Sequence, residues 1–105
     1  MQQMPLKTLL QTLDEQHWNH WVYIPDDVSV DAETPCIVYA GDIDEDLTDN
    51  GIPLKMHQLG QVEFLMIADL QDVQQNLEQQ KPSTTFDDLL NATLYFFRND
   101  AFIQM

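Results

Sequence analysis

The amino-acid sequence predicts an α+β fold, with a small and mainly antiparallel sheet of three to four strands packed with three helices. Three segments carry apolar residues at the 3.6-residue spacing of a helix, and three shorter apolar runs are bounded by turn-forming residues, as strands are. The chain has 105 residues, of which 44% are hydrophobic, and this is enough for one core. We therefore expect residues 1–105 to form a single α+β domain.

Residues 85–97 give the strongest helical signal, and we expect the core to be organised around them. Thr85 is a suitable N-cap, and Asp87 and Asp88 place negative charge in the first turn, where the helix dipole favours it. The Asn99-Asp100 pair supplies a stop. The apolar residues on the predicted face are Phe86, Leu89, Leu90, Leu94 and Phe97.

The other elements follow the same two patterns along the chain. Leucines at helical spacing predict a first helix over residues 5–16, and a second helix is predicted over residues 69–80. Short apolar runs predict strands at residues 22–24, 36–40 and 62–67.

Three stretches have weaker signals. Residues 41–51 have no periodicity and contain the Asn50-Gly51 pair, which is a strong turn signal. Residues 52–59 fit either a strand or irregular structure, and residues 101–103 fit a short terminal strand or a segment that docks against the core.

Acidic residues dominate the charge of the chain. There are 18 Asp and Glu residues against four Lys and Arg residues, so the formal net charge is −14. Phosphate-rich ligands and anionic membranes are recognised by patches of Lys and Arg, so this balance argues against direct binding of nucleic acid or of a membrane surface. It is compatible with a basic protein partner, with metal ions, or with solubility alone.

Cys36 is the only cysteine, so no internal disulfide can form, which suits a reducing cytoplasm. Its position within an apolar run favours a buried side chain over a nucleophile. The N-terminal segment is polar at helical intervals, unlike a signal peptide, and no apolar run approaches 18 residues. We therefore expect a cytoplasmic protein.

The sequence contains no catalytic motif, so we expect no enzymatic activity and no cofactor. No Ser or Cys stands in a nucleophile motif, and Gly41, Gly51 and Gly60 lie too far apart for a phosphate-binding loop. His17 and His20 lie one helical turn apart, but a zinc site needs three or four ligands and no others are recognisable by their spacing. Surface or half-buried histidines are the better interpretation.

The alternating carboxylates Asp42, Asp44 and Asp46 resemble the start of a calcium-binding loop. The rest of that motif is absent, because Leu47 stands where the loop needs Gly and Pro53 stands where it needs Glu. We therefore interpret the segment as a solvated acidic loop and predict no metal site.

Half of the acidic residues fall within residues 26–49, and no Lys or Arg occurs between Lys7 and Lys55. If the strands at residues 22–24 and 36–40 pair, we expect their connecting loops to gather into one acidic surface that binds a partner. The first candidates for charge contacts are Asp42, Asp44, Glu45, Asp46 and Asp49, and the second are Asp26 and Asp27.

Trp18 and Trp21 are candidate aromatic anchors of the same interface, because large aromatic side chains beside charges are typical of binding hot spots. The alternative is that both pack in the core. An acidic surface would pair with Lys and Arg side chains that otherwise hold phosphates, and long-range attraction would speed association. An inhibitor that must neutralise a toxin before it acts needs such speed.

The whole-chain profile resembles the small acidic immunity proteins of bacterial toxin–immunity systems, including those of contact-dependent growth inhibition. Two segments are also similar to a family of uncharacterised small bacterial proteins. They are Trp21-Val22-Tyr23-Ile24-Pro25 and Asp88-Leu89-Leu90…Phe97…Asn99-Asp100-Ala101-Phe102-Ile103. The resemblance to immunity proteins implies a non-catalytic inhibitor that binds one cognate toxin, often a nuclease, and it transfers no specific residue.

Three other functions remain open from the sequence. A DNA mimic would present carboxylates at phosphate-like spacing and occupy a DNA-binding protein. A calcium- or metal-responsive module would use the acidic loop, and an adaptor subunit would use its exposed aromatic residues for a permanent interface.

Overall fold

The computed structural model describes residues 2–40 and 46–104, and it confirms the α+β class and the antiparallel sheet. The strands are β1 (Gln2–Pro5), β2 (Trp21–Pro25), β3 (Pro35–Tyr39) and β4 (Gln61–Met66). The helices are α1 (Leu6–Gln11), α2 (Leu54–Gln58), α3 (Ile67–Gln80) and α4 (Phe86–Asn99), and Leu13–Glu15 form a 3-10 turn.

The sheet has the strand order β1-β3-β2-β4, and all three neighbouring pairs are antiparallel. The predicted strands at residues 22–24 and 36–40 pair with each other, with Val22 opposite Val38. Strand β4 pairs with the other side of β2, so the sequence-predicted strands form the centre and one edge of the sheet.

The two faces of the sheet are covered by different elements. Alternate residues of a strand point to opposite faces. The face that includes Val22 and Val38 packs against α1, α3 and α4 and forms the main core. The opposite face, which includes Tyr23 and Ile37, packs against Met56 of α2.

The helix predicted over residues 85–97 is confirmed as α4, with the predicted cap and stop. The Thr85 hydroxyl accepts a hydrogen bond from the Asp88 amide (3.1 Å), and the Asp88 carboxylate accepts one from the Thr85 amide (3.0 Å). Lys81 Nζ donates to the same carboxylate over 2.8 Å, and this bond, with those from Thr85, lowers the pKa of Asp88. Asp100 ends the helix in the left-handed conformation, with φ of 52°.

Replacing Thr85 with alanine is expected to lower the free energy of unfolding by about 1 kcal/mol, because the Asp88 amide loses its acceptor. Urea unfolding would measure the change, with Thr84→Ala, one residue outside the cap, as the matched control. Equal losses in both variants would contradict the cap.

Because the pKa of Asp88 is lowered in the folded chain, stabilisation by its carboxylate is present above its ordinary value of 3.8 and is lost as the pH falls through the lowered value.

The core is centred on α1 and α3 rather than on α4, so the expected centre is wrong. Leu9 of α1 and Leu70 of α3 are fully buried. Helix α4 packs mainly against α3 and α1, and it buries Leu89 in the main core. Phe97, predicted on the core-facing side, is 39% exposed, and its ring packs on Phe64 with 4.6 Å between centroids.

The first predicted helix is interrupted, so the single helix over residues 5–16 is wrong. Pro5 is the last residue of β1 and precedes α1, which ends at Gln11. Thr12 leaves the helical conformation, with φ of −126°, and the 3-10 turn follows it. The hydroxyl of Thr12 donates to the Thr8 carbonyl over 2.8 Å, and this local bond stabilises the break.

Two other local predictions have different outcomes. Residues 52–59, expected to be strand or irregular, contain helix α2, whose Met56 is buried on the second face of the sheet. Residues 101–103 form no strand, and the predicted alternative of docking is confirmed: Ile103 packs against the main core, and the Phe102 ring lies 5.3 Å from that of Phe96.

Candidate functional site

The structure describes only two of the five acidic residues that are the first candidates for charge contacts. Asp42, Asp44 and Glu45 lie outside the described residues. Asp46 and Asp49 are described, and both are exposed. They belong to a small hairpin over residues 46–53, in which Leu47 pairs with Pro53.

The hairpin is built by backbone bonds around the predicted turn. The Thr48 amide donates to the Ile52 carbonyl (2.8 Å), and the Gly51 amide donates to the Thr48 carbonyl (2.9 Å). Gly51 has φ of 81°, which glycine adopts without steric cost, so the Asn50-Gly51 turn is confirmed. The Leu54 amide donates to the Asp46 carbonyl (2.9 Å), and this bond joins the hairpin to the start of α2.

The hairpin and α2 lie against the second face of the sheet. Ile52 and Met56 pack in the cluster that contains Tyr23 and Ile37. Leu47, on the same hairpin, is 58% exposed and lies between Asp46 and Asp49 in the sequence. Sequence reasoning missed Leu47 as a candidate contact, although one leucine among acidic residues is a visible signal.

Asp26 and Asp27 follow β2, whereas Ala40 follows β3 and begins the loop that carries the first candidates for charge contacts. Because β2 and β3 are antiparallel, with Trp21 opposite Tyr39, the loop after β2 and the loop after β3 leave opposite ends of the pair. The second loop starts at the opposite end of the sheet from Asp26 and finishes beside it at Gly60, so the single acidic surface stays a prediction.

Asp26 and Asp27 have exposed apolar neighbours. The Asp26 amide donates to the Gly60 carbonyl over 3.0 Å, so this turn lies beside the one that precedes β4. Val28 and Leu59, which adjoin the two joined turns in sequence, are both exposed, and sequence reasoning missed both. Two carboxylates beside two exposed aliphatic side chains are compatible with a protein contact.

The two tryptophans have different environments. Trp21 is half-buried and packs against the cluster on the second face, so it is in part a core residue. Trp18 lies before β2 and is 63% exposed. Both lie at the end of the sheet where β3 ends and Ala40 follows. We call this the tryptophan end, defined by Trp18, Trp21, Tyr39 and Ala40.

A cavity of about 280 Å³ opens at the tryptophan end. Its lining includes Glu15, His17, His20 and Ala40. The two imidazole rings are tilted against each other, with 5.1 Å between their centroids. Over residues 2–40 and 46–104, no group of three or more His, Cys, Asp or Glu side chains is arranged to hold a metal ion.

Comparison with known proteins identifies the family of the chain. Residues 3–105 match DUF7716, a family defined by a domain of unknown function. The chain belongs to the DUF7716 family. No curated protein and no solved structure matches it.

In this DUF7716 member the excess negative charge is displayed on the surface. Of the 15 acidic residues that the structure describes, 13 are exposed, two are half-buried and none is buried. Lys7 and Lys81 are already in ion pairs, with Glu33 at 2.9 Å and with Asp88 at 2.8 Å. The four Lys and Arg residues therefore neutralise little of the negative charge that the surface carries.

The one cysteine of this DUF7716 chain is protected from solvent. The Cys36 thiol is buried, and desolvation raises its pKa to about 12. No helix among the described residues is long and apolar enough to cross a membrane. The features available for recognition are the exposed carboxylates, the hairpin over residues 46–53 and the exposed Trp18.

Proposed function

We propose that this chain is a non-catalytic inhibitor of the immunity type, which binds and neutralises a basic toxin, a nuclease, in the bacterial cytoplasm. One observation carries the proposal: 13 of the 15 described acidic residues are exposed. Of the four Lys and Arg residues, two are held in ion pairs. A field of this sign and size favours a cationic partner.

The mechanism of inhibition is competition for the cations of the toxin. Nucleases hold phosphates with Lys and Arg, and carboxylates on a second protein pair with the same side chains. The hairpin over residues 46–53 offers Asp46 and Asp49 on either side of the exposed Leu47. Charge speeds the encounter, and the apolar contact slows dissociation.

The test is capture of the partner from the native bacterium with the tagged full-length chain, at low and at moderate salt, followed by mass spectrometry and by an activity assay of the captured protein. We expect one basic partner that persists at moderate salt and whose nuclease activity the chain suppresses. Many DNA-binding proteins lost together as salt rises, and displaced by duplex DNA, would overturn the proposal in favour of DNA mimicry. Calorimetric binding of calcium or zinc in the absence of any partner would favour a metal-responsive module.

Removing the two described hairpin carboxylates is expected to slow association with the basic partner. The double variant Asp46→Asn/Asp49→Asn should associate about three- to tenfold more slowly at low salt and depend less on ionic strength, with little change in the fold. Stopped-flow or surface-based kinetics across a salt series would measure both effects.

A matched variant, Glu78→Gln/Asp100→Asn, removes the same charge from exposed positions at the C-terminal ends of α3 and α4. Its association rate should change less. Equal slowing in both double variants would mean that net charge alone acts, and the hairpin would then have no special place in the interface.

A further inference from the structure

A short turn over residues 17–20 holds the most exposed large side chain at the tryptophan end. The His20 amide donates to the His17 carbonyl over 3.2 Å. The amides of Ile67 and Ala68 donate to the carbonyls of His20 and Trp18, each over 2.9 Å. The first amides of a helix have no partner within it, so this turn caps α3 and is fixed by it.

A side chain of α3 holds the segment that leads into the turn. Gln71 Nε2 donates to the carbonyls of Leu13 (3.0 Å) and Gln16 (3.2 Å). The backbone that carries Trp18 is thus held on both sides, yet the residue remains 63% exposed. A large aromatic group on a fixed backbone loses little conformational freedom when a partner covers it, which is the property of a binding anchor.

The elements that supply and hold the turn carry carboxylates and no Lys or Arg side chain. No Lys or Arg occurs in residues 13–25 or 61–80. These two segments supply the turn and the strand and helix that hold it. Glu15 lines the cavity beside the turn, and Asp69 and Asp72 lie in the first two turns of α3. One cation reaches the tryptophan end from the second face of the sheet, where Lys55 Nζ lies 5.9 Å from the centroid of the Tyr39 ring.

We propose that Trp18 is an anchor for an arginine side chain of the basic partner. The planar guanidinium stacks on the exposed indole face, and the carboxylates of the flanking elements provide its attraction and accept its N–H groups. Arginine fits better than lysine, because it stacks through a flat, weakly hydrated cation, whereas the lysine ammonium is compact and strongly hydrated. This inference rests on the proposed function and adds a contact residue outside the hairpin.

Hexaarginine and hexalysine peptides are suitable probes for the full-length chain. In a Trp21→Phe background, Trp18 is the only tryptophan, so its emission reports directly on this turn. We expect hexaarginine to change that emission and to bind more tightly than hexalysine. By calorimetry in the native background, Trp18→Ala should weaken hexaarginine binding about three- to tenfold and hexalysine binding less, so the preference for arginine falls.

Tyr95→Ala is the matched control, because Tyr95 is also an exposed aromatic residue but lies on α4, away from the turn. It should leave both affinities unchanged, and Trp18→Phe should keep part of the arginine preference because it keeps a ring. Circular dichroism would verify that each variant is folded. Unchanged hexaarginine affinity in Trp18→Ala, or an equal loss in Tyr95→Ala, would overturn the anchor.

The peptide result is separable from the proposed function. Capture of a basic toxin by the unaltered chain tests the function, and the peptide affinities of Trp18→Ala test the anchor. A chain that captures the toxin but shows no effect of Trp18→Ala on arginine binding would keep the function and lose the anchor.

Discussion

Replacing Leu9 with alanine is expected to lower the free energy of unfolding by about 3 kcal/mol. Leu9 is 0% exposed and lies on α1 in the main core. The loss combines the transfer free energy of the removed methyl groups with the unfavourable cavity that remains where the surrounding side chains do not collapse. Domains of this size are stabilised by about 5–15 kcal/mol, so the variant should unfold at a much lower urea concentration.

The matched control is the same substitution at an exposed leucine. Leu59 is 52% exposed at the end of α2, and Leu59→Ala should change the free energy of unfolding by no more than about 0.5 kcal/mol. Urea unfolding followed by circular dichroism would measure both variants. Similar small losses in the two would show that α1 does not pack into the core as described.

The central strands and the two long helices were predictable because local pattern and tertiary environment agree. In α4, the cap at Thr85, the acidic first turn and the stop at Asp100 all stand in the sequence, and the structure uses each of them. Strands β2 and β3 are short apolar runs between turn-forming residues, and burial on both faces explains why they do not alternate with polar residues.

Strand β1 and helix α2 were not predictable, because tertiary contacts create them. β1 (Gln2–Pro5) has no apolar alternation and becomes a strand by pairing with β3. Helix α2 (Leu54–Gln58) has only five residues, which is too short for a periodic signal, and no side-chain cap marks its start. The burial of Met56 against the second face of the sheet stabilises it.

Composition alone could not place the two acidic loops relative to each other, because their placement depends on topology. Two antiparallel strands that are consecutive in sequence place the loop between them and the start of the loop that follows them at opposite ends. The predicted pairing of β2 with β3 was right, and that same pairing separates the turn at Asp26 from Ala40, where the second acidic segment begins. Composition counts charges along the chain, whereas the strand direction decides which of them become neighbours.

The difference between the two tryptophans was also hidden in the sequence. Trp21 and Trp18 are three residues apart, and both follow the first helical segment. Their exposure differs because β2 begins at Trp21. Trp21 therefore packs on a face of the sheet, whereas Trp18 remains in the turn that caps α3. That turn depends on bonds to residues about 50 positions away, such as Ala68.

Cys36 is expected to react with thiol reagents roughly a thousandfold more slowly in the folded chain than an exposed cysteine does. It is fully buried in the main core, and its thiol donates to the Thr34 carbonyl over 3.5 Å. Burial raises its pKa to about 12 from the ordinary value of 9.0. At pH 8 the thiolate fraction is therefore about 10⁻⁴ rather than about 0.1, and the thiolate is the reactive form. Labelling with a chromogenic disulfide should begin only as urea unfolds the chain.

A Cys36→Ala/Ser29→Cys variant provides the exposed reference for the labelling rate, because Ser29 lies on the surface.

The raised pKa of Cys36 also determines how the free energy of unfolding changes with pH. The stabilisation by the protonated thiol is complete below pH 9.0 and is lost as the pH rises toward about 12, because the unfolded chain releases the proton first. Relative to Cys36→Ala, the natural chain should lose about 1.4 kcal/mol of unfolding free energy for each pH unit in that window. Rapid labelling in the native state, or parallel stability curves for the two chains above pH 9.0, would show that the Cys36 side chain is accessible to water and that β3 is not packed as described.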